Sequence, residues 1–320
     1  MRKVCIILVY FGPLPEWFSL WLLSCHYNPT ISFLIVTDQQ IILPEGYNNI
    51  KILPMTLNQM KKLADNKLEI DTALIYPYKC CDLRPAYGLM FEDYLKEYEF
   101  LGHCDCDLIF VDLRKYFTED RLRDYDRIFG QGHLSIYRNT PQCNHFFKLS
   151  PKYKKVFTTS SNFGFDENLN KISIGRVLNE NQISVLFSRE FVDIGTIHRR
   201  FLNIANRNSV KQIFYWNKGR IYRDYQNDFL HIQERDEFAY IHFKKRKLKK
   251  WMLPENVDQT TSFAISYKGF FPLDNKDFEQ LVTKYNPYPG ILFETAEQLR
   301  WYVQHPGLGI RRLYYLIRKI

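Results

Sequence analysis

The chain has 320 residues, 46% of them hydrophobic, enough to build the core of one large α/β domain or two modest ones and to exclude a disordered chain. Charges or prolines interrupt every long apolar run before the roughly 20 residues a membrane-crossing helix needs. The net charge of +9 calls for an anionic partner, whether nucleic acid, anionic lipid or a phosphorylated substrate.

The first residues, Met1-Arg-Lys followed by an apolar run, have the basic end of a signal peptide but no small-residue cleavage site, so Lys3–Tyr10 reads as a buried strand. Phe11-Gly-Pro-Leu-Pro15 breaks it, and Pro15 suits the start of an apolar helix from Glu16 to Tyr27. Strands are expected at Ser32–Thr37 and Asn49–Leu53, and Thr56 with Gln59 forms a capping box for a helix reaching Leu68. This alternation predicts a parallel, doubly wound sheet, in which ligands bind beyond the carboxyl ends of the strands. Tyr10, Phe11, Gly12, Thr37 and Asp38 stand at such ends.

A helix is expected from Pro85 to Glu97. Just before it, Lys79, Asp82 and Arg84 could present charge to a diphosphate, or form a polar loop in which Asp82 and Arg84 pair or cap the helix. The next strand runs into His103-Cys-Asp-Cys-Asp107. If alternation persists, Asp105 and Asp107 face one way, and two hard oxygen ligands suit Mg²⁺ or Mn²⁺. Alone, the pair also reads as a surface turn with two solvated acids. A zinc site on His103, Cys104 and Cys106 would need a wider spacing and a second cysteine pair. Seven cysteines, with Cys80-Cys81 and Cys104/Cys106 so close together, point to a reduced, cytosolic compartment.

Strands are expected at Asp126–Phe129 and Gly132–Tyr137 and a short helix at Thr140–Leu149, with His133 and Tyr137 as candidate ligand-binding side chains. Ser160–Glu167 is a polar loop ending in Asp166-Glu167, which on its own reads as capping a helix beginning near Asn168. Asn217-Lys-Gly219 between two apolar runs signals a hairpin. Glu237–Phe243 reads as a strand ending near His242 and entering Lys244–Lys250, whose basic residues on their own would suggest nucleic acid. Beyond Trp251 the elements expected are a strand at Ser262–Tyr267, a turn at Asn286–Gly290, a helix at Glu294–Gln304 and an amphipathic basic end at Gly309–Ile320. That end would suit an anionic membrane surface or packing on the body.

Four segments in this order, Leu8–Gly12, Lys79–Gly88, His103–Asp107 and Ile241–Lys245, carry a resemblance to GT-A glycosyltransferases over roughly residues 1–250. The chain more closely resembles a little-characterised family encoded with bacterial capsular and other surface polysaccharide genes. The resemblance implies a Rossmann-like mixed, mainly parallel sheet flanked by helices over residues 1–250, and a smaller α+β region over 251–320. It implies a nucleotide-sugar donor, UDP-linked, contacted by Tyr10, Phe11, Gly12, Asp38, Lys79, Asp82, Arg84, Asp105 and Lys245. It also implies a Mn²⁺ or Mg²⁺ site of Asp105, Asp107 and His242. The acceptor would be a glycan or lipid-linked glycan, met by His133 and Tyr137 and by the loop ending in Asp166-Glu167, with Asp166 or Glu167 as base only if the sugar's configuration inverts; the late histidine favours retention. The enzyme would be cytoplasmic or peripheral on the inner face of the plasma membrane. The competing expectations are nucleic-acid binding through Lys244–Lys250 and a GT-A-like scaffold without catalysis.

Overall fold

The computed structural model describes residues 1–286 apart from 169–170, 195–199, 206–207, 227–232, 245–252, 254–256, 259–260, 267 and 274–276. Strand β1 (Val4–Tyr10), helix α1 (Phe18–His26), β2 (Ile31–Thr37), β3 (Ile50–Pro54) and helix α2 (Leu57–Leu68) follow one another as expected. The capping box is present: Thr56 accepts from the Gln59 N–H, and the Gln59 side chain accepts from the Thr56 N–H. β4 (Phe100–Cys104) lies beside β1, so β3, β2, β1 and β4 are parallel neighbours. After β5 (Leu108–Phe110), the strands β6 (Arg127–Ile128), β7 (Leu134–Arg138) and β8 (Val185–Leu186) complete a seven-stranded sheet, order β3-β2-β1-β4-β7-β6-β8. Only the β4–β7 and β6–β7 pairings are antiparallel. This mixed, mainly parallel sheet with helices against it is the architecture the GT-A resemblance calls for.

Two smaller sheets follow. Their strands are β9 (Val192–Ile194), β10 (Phe201–Asn203), β11 (Gln212–Asn217), β12 (Arg220–Gln226), β13 (Gln233–Phe238), β14 (Tyr240–His242), β15 (Ser262–Ser266) and β16 (Gly269–Pro272). One sheet has the order β10-β9-β14-β5 and the other β13-β12-β11-β15-β16. The β11–β12 hairpin turns where predicted, with Lys218 at φ 46° and Gly219 at φ 77°, the positive pair a two-residue type I′ turn requires. β15 pairs with β11, so among the described residues the third sheet draws on both sides of residue 250.

α1 exposes none of its residues, for a physical reason. Phe18, Trp21, Leu22 and Cys25 pack against the seven-stranded sheet, while Leu20 and Leu23 join the cluster beneath the smaller sheets. The helix is thus the shared wall of two cores. α2 and the segment from Cys80 to Leu95 cover the opposite face of the main sheet.

Two expected elements differ. The helix foreseen at Pro85–Glu97 is instead a string of short turns, Cys80–Leu83, Arg84–Ala86, Tyr87–Met90 and Glu92–Leu95; Pro85, which supplies no N–H, falls within the tight turn Arg84–Ala86, and a second break comes at Phe91. The strand foreseen at Glu237–Phe243 is broken at Ala239, where the chain passes from the five-stranded sheet into the four-stranded one. No helix among the described residues is long and apolar enough to cross a membrane. The segments expected at Asn286–Gly290, Glu294–Gln304 and Gly309–Ile320 lie, but for Asn286, outside the described residues.

Candidate active site

The Asp-x-Asp segment sits at the end of β4, as expected, at the corner where the chain leaves the main sheet at Cys104 and enters the four-stranded sheet at Leu108. Its backbone is held from three sides. The Asp105 N–H donates to the His133 carbonyl at 3.0 Å and the Phe243 N–H to the Asp107 carbonyl at 3.1 Å. The Trp17 indole donates to the Cys106 carbonyl at 3.2 Å.

Strand register then brings His242 to the motif. β14 runs antiparallel to β5 with His242 opposite Leu108, one residue past Asp107. His242 Nε2 lies 3.9 Å from Asp107 Oδ2, and one ligand atom each from Asp105, Asp107 and His242 fall within 4.8 Å of one another. Opposite ligands around an ion bound at about 2.1 Å are about 4.2 Å apart, so this set fits a small hard cation with little adjustment. The donor chemistry fits as well, with two carboxylates and an imidazole whose far nitrogen, Nδ1, faces the Asp193 carboxylate at 3.3 Å. Burial opposes charge on His242, but Asp193, Asp107 and Asp105 outweigh it and raise its pKa.

Arg84 ties the motif to the loop at Asp166. Its guanidinium pairs with Asp105, reaches Asp166 Oδ2 at 2.8 Å and donates to the Gly132 carbonyl at 2.8 Å. Burial pushes the Asp166 carboxyl up to about 7 against the pull of Arg84, with Glu167 and Asp105 adding to the rise. Glu167, half-buried, is raised by burial and by Asp105, and its carboxylate makes no ion pair or hydrogen bond among the described residues. His133 stacks on His242 with ring centroids 4.1 Å apart and shares a 2.9 Å hydrogen bond with the Tyr240 hydroxyl. Its burial and the nearby charge of His242 depress its pKa strongly, so it backs His242 as a neutral ring.

Two cavities meet at the acidic corner. One, about 610 Å³, is walled by Tyr10, Phe11, Leu14, Trp17 and Tyr78. The other, about 560 Å³, is polar and includes His133, Asp166, Glu167, Asp193, His242 and Lys244. Arg84, Asp105 and Asp107 line both.

Several expected site residues lie elsewhere. Lys79 and Asp82 have fully buried side chains that pair at 2.7 Å; Lys79 also donates to the Val156 and Ser161 carbonyls, and Asp82 accepts from the Phe163 and Phe165 N–H groups. They anchor the loop before Asp166 and cannot touch a donor. Tyr137 is buried on β7 beneath the Arg127 guanidinium, 5.2 Å from its ring, and lines neither cavity. Asp38 is exposed and holds the Gly12 N–H at 3.0 Å, where Gly12 turns the chain at φ 98°. The Gln39 amide and that N–H keep the Asp38 pKa low. Lys245 lies outside the described residues. Two residues that sequence reasoning missed, Asp193 and Lys244, complete the polar cavity. The signal for Asp193 was a lone acid within the apolar run Phe191–Ile194.

Over residues 6–274 the sequence matches the model of a family described as a family of unknown function, DUF6625. The chain belongs to that family. No curated protein matches this chain. Among solved structures, a galactosyltransferase, LgtC, in complex with donor and acceptor sugar analogs is similar at 10% identity, with a TM-score of 0.39 over 75% of this chain and 87% of that one. Mouse xyloside xylosyltransferase 1 is similar at 9% identity, TM-score 0.38, over 61% and 88%. The glycosyltransferase GlyE of Streptococcus pneumoniae TIGR4 is similar at 13% identity, TM-score 0.35, over 59% of this chain and 46% of that one.

Proposed function

We propose that this protein is a metal-dependent glycosyltransferase that takes a nucleotide sugar, a UDP-sugar, and extends a bacterial surface glycan with retention of configuration. The observation carrying this reading is the convergence of Asp105, Asp107 and the distant His242 within 4.8 Å at the junction of an aromatic and a polar cavity. Asp105, Asp107 and His242 would hold Mn²⁺ or Mg²⁺, which supplies positive charge against a departing diphosphate.

The chain's own groups do the rest. Tyr10, Phe11 and Trp17 offer flat apolar surface to a nucleobase, and Arg84 keeps Asp105 turned toward the corner. Lys244 brings a second positive charge to the polar cavity without taking a proton from the reaction. Sugar hydroxyls meet Glu167, whose carboxylate is free to accept from them, while Asp166 is occupied by Arg84. With retention, the acceptor hydroxyl attacks from the leaving-group side and no protein base is required; with inversion, Glu167 rather than Asp166 has the free carboxylate for that role. The acceptor in this reading is carried on lipid at the inner face of the plasma membrane, supported by the basic, amphipathic pattern of residues 309–320.

The test is a panel of nucleotide sugars assayed for transfer and for slow donor hydrolysis with Mn²⁺ present. Asp107→Asn should abolish turnover while the far-ultraviolet spectrum and melting stay intact. Full activity of that variant under strict metal control rejects the proposal.

A further inference from the structure

Three strands deliver a row of polar side chains across the small sheet. β9 and β14 are parallel with Asp193 beside His242, and β14 and β5 place His242 beside Leu108, next to Asp107. Asp193 therefore stands directly behind the imidazole, on the side away from the acidic corner. Its Oδ1 is 3.3 Å from His242 Nδ1, and both atoms are sealed from solvent without a well-aligned hydrogen bond. Two orphaned buried polar atoms facing each other are costly to keep unless something draws them together. The other carboxylate oxygen, Oδ2, pairs with Lys244 Nζ at 2.9 Å. Lys244 is also held at φ 48°, a left-handed backbone that a lysine rarely adopts, two residues past His242.

We infer that Asp193 is a positioning residue that fixes the His242 ring for a cation and, through its second oxygen, holds Lys244 at the mouth of the polar cavity. The inference rests on the cation site proposed above. With the imidazole proton on Nδ1, facing Asp193, the Nε2 lone pair would be left for Asp107's side and the cation position. A cation held at Nε2 would make Nδ1–H a stronger donor, and the 3.3 Å approach would then tighten into a hydrogen bond. Asp193 thereby links the imidazole on the cation to the lysine beside it, and one side chain sets the geometry of both.

The experiment measures Mn²⁺ binding to the full chain by the electron paramagnetic resonance signal of the free ion, with no nucleotide present. Wild type, Asp193→Asn, Asp193→Ala, Lys244→Ala and Glu167→Gln are compared. Loss of an orienting carboxylate behind a ligating histidine weakens metal binding about 10–100-fold, and this is expected for both Asp193 variants. Lys244→Ala and Glu167→Gln should bind Mn²⁺ within about threefold of wild type. Glu167→Gln removes a charge from the same cavity without touching the imidazole, so it separates orientation from simple loss of negative charge. If wild type binds no Mn²⁺, the cation site itself is wrong and the inference falls with it. If wild type binds and the Asp193 variants match it, or Glu167→Gln weakens binding as much as they do, the inference alone is overturned. Should both Asp193 variants fail to fold, nitrogen-15 spectra of wild-type histidines decide: a proton on His242 Nδ1 supports the role, and a proton on Nε2 in the neutral ring overturns it.

Discussion

Asp82→Ala is the substitution that best separates anchoring from ligand binding in the segment before Arg84. In the folded chain Lys79 has three acceptors, the Asp82 carboxylate and the Val156 and Ser161 carbonyls, and no exposed surface. Removing the carboxylate leaves a buried ammonium with two neutral carbonyls and strands the N–H groups of Phe163 and Phe165, at 3.0 and 2.9 Å from Asp82 in the native structure. Breaking a buried ion pair on one side costs about 3–5 kcal/mol. Orphaned N–H groups add to that, though some find water as the loop loosens. Against a total stability of about 5–15 kcal/mol, the loss should be plain in urea unfolding as a lower midpoint at an unchanged slope. The paired change Lys79→Met with Asp82→Leu should recover part of it, because no lone charge then remains buried, but not the part owed to Phe163 and Phe165. If Asp82→Ala unfolds within about 1 kcal/mol of wild type while the donor KM rises tenfold, Asp82 binds donor and the anchoring argument is wrong.

Burial raises the Asp166 pKa from 3.8 to about 7, so the folded chain holds this proton more tightly than the unfolded one. Its contribution is therefore complete below pH 4 and is lost as pH rises through 7, and the difference in unfolding free energy between wild type and Asp166→Asn should change by a few kcal/mol across that window; a flat difference refutes the assignment. In Gly102→Ala, the new Cβ would lie 2.4 Å from Ile136 Cδ1 and 2.7 Å from the Ser135 carbonyl oxygen, a main-chain atom of β7 that cannot swing aside. A loss of about 1–3 kcal/mol is expected in urea unfolding, and an unchanged midpoint would show that β4 and β7 can separate freely. Mn²⁺ at a hundred times its Kd should stabilise wild type by about 2.7 kcal/mol, should leave Asp107→Asn unmoved and should still stabilise Asp38→Asn; metal stabilisation of Asp107→Asn would remove Asp107 from the cation site.

The sequence by itself determined the elements whose signals are local. An unbroken apolar run made β1, Thr56 with Gln59 capped α2, and Asn217-Lys-Gly219 turned the β11–β12 hairpin, because period, capping and turn chemistry act over a few residues. Asp105 and Asp107 were legible as a pair of hard ligands at a strand end, whereas His242 entered through resemblance. Only the tertiary structure decided which charged residues face a ligand and which face each other. Lys79, Asp82 and Arg84 look alike within one polar segment, yet burial takes the first two as a structural pair and leaves Arg84 at the junction of two cavities. Asp193 was hidden for the converse reason: its role depends on the register between β9 and β14, strands about fifty residues apart, and no short-range pattern encodes such a pairing.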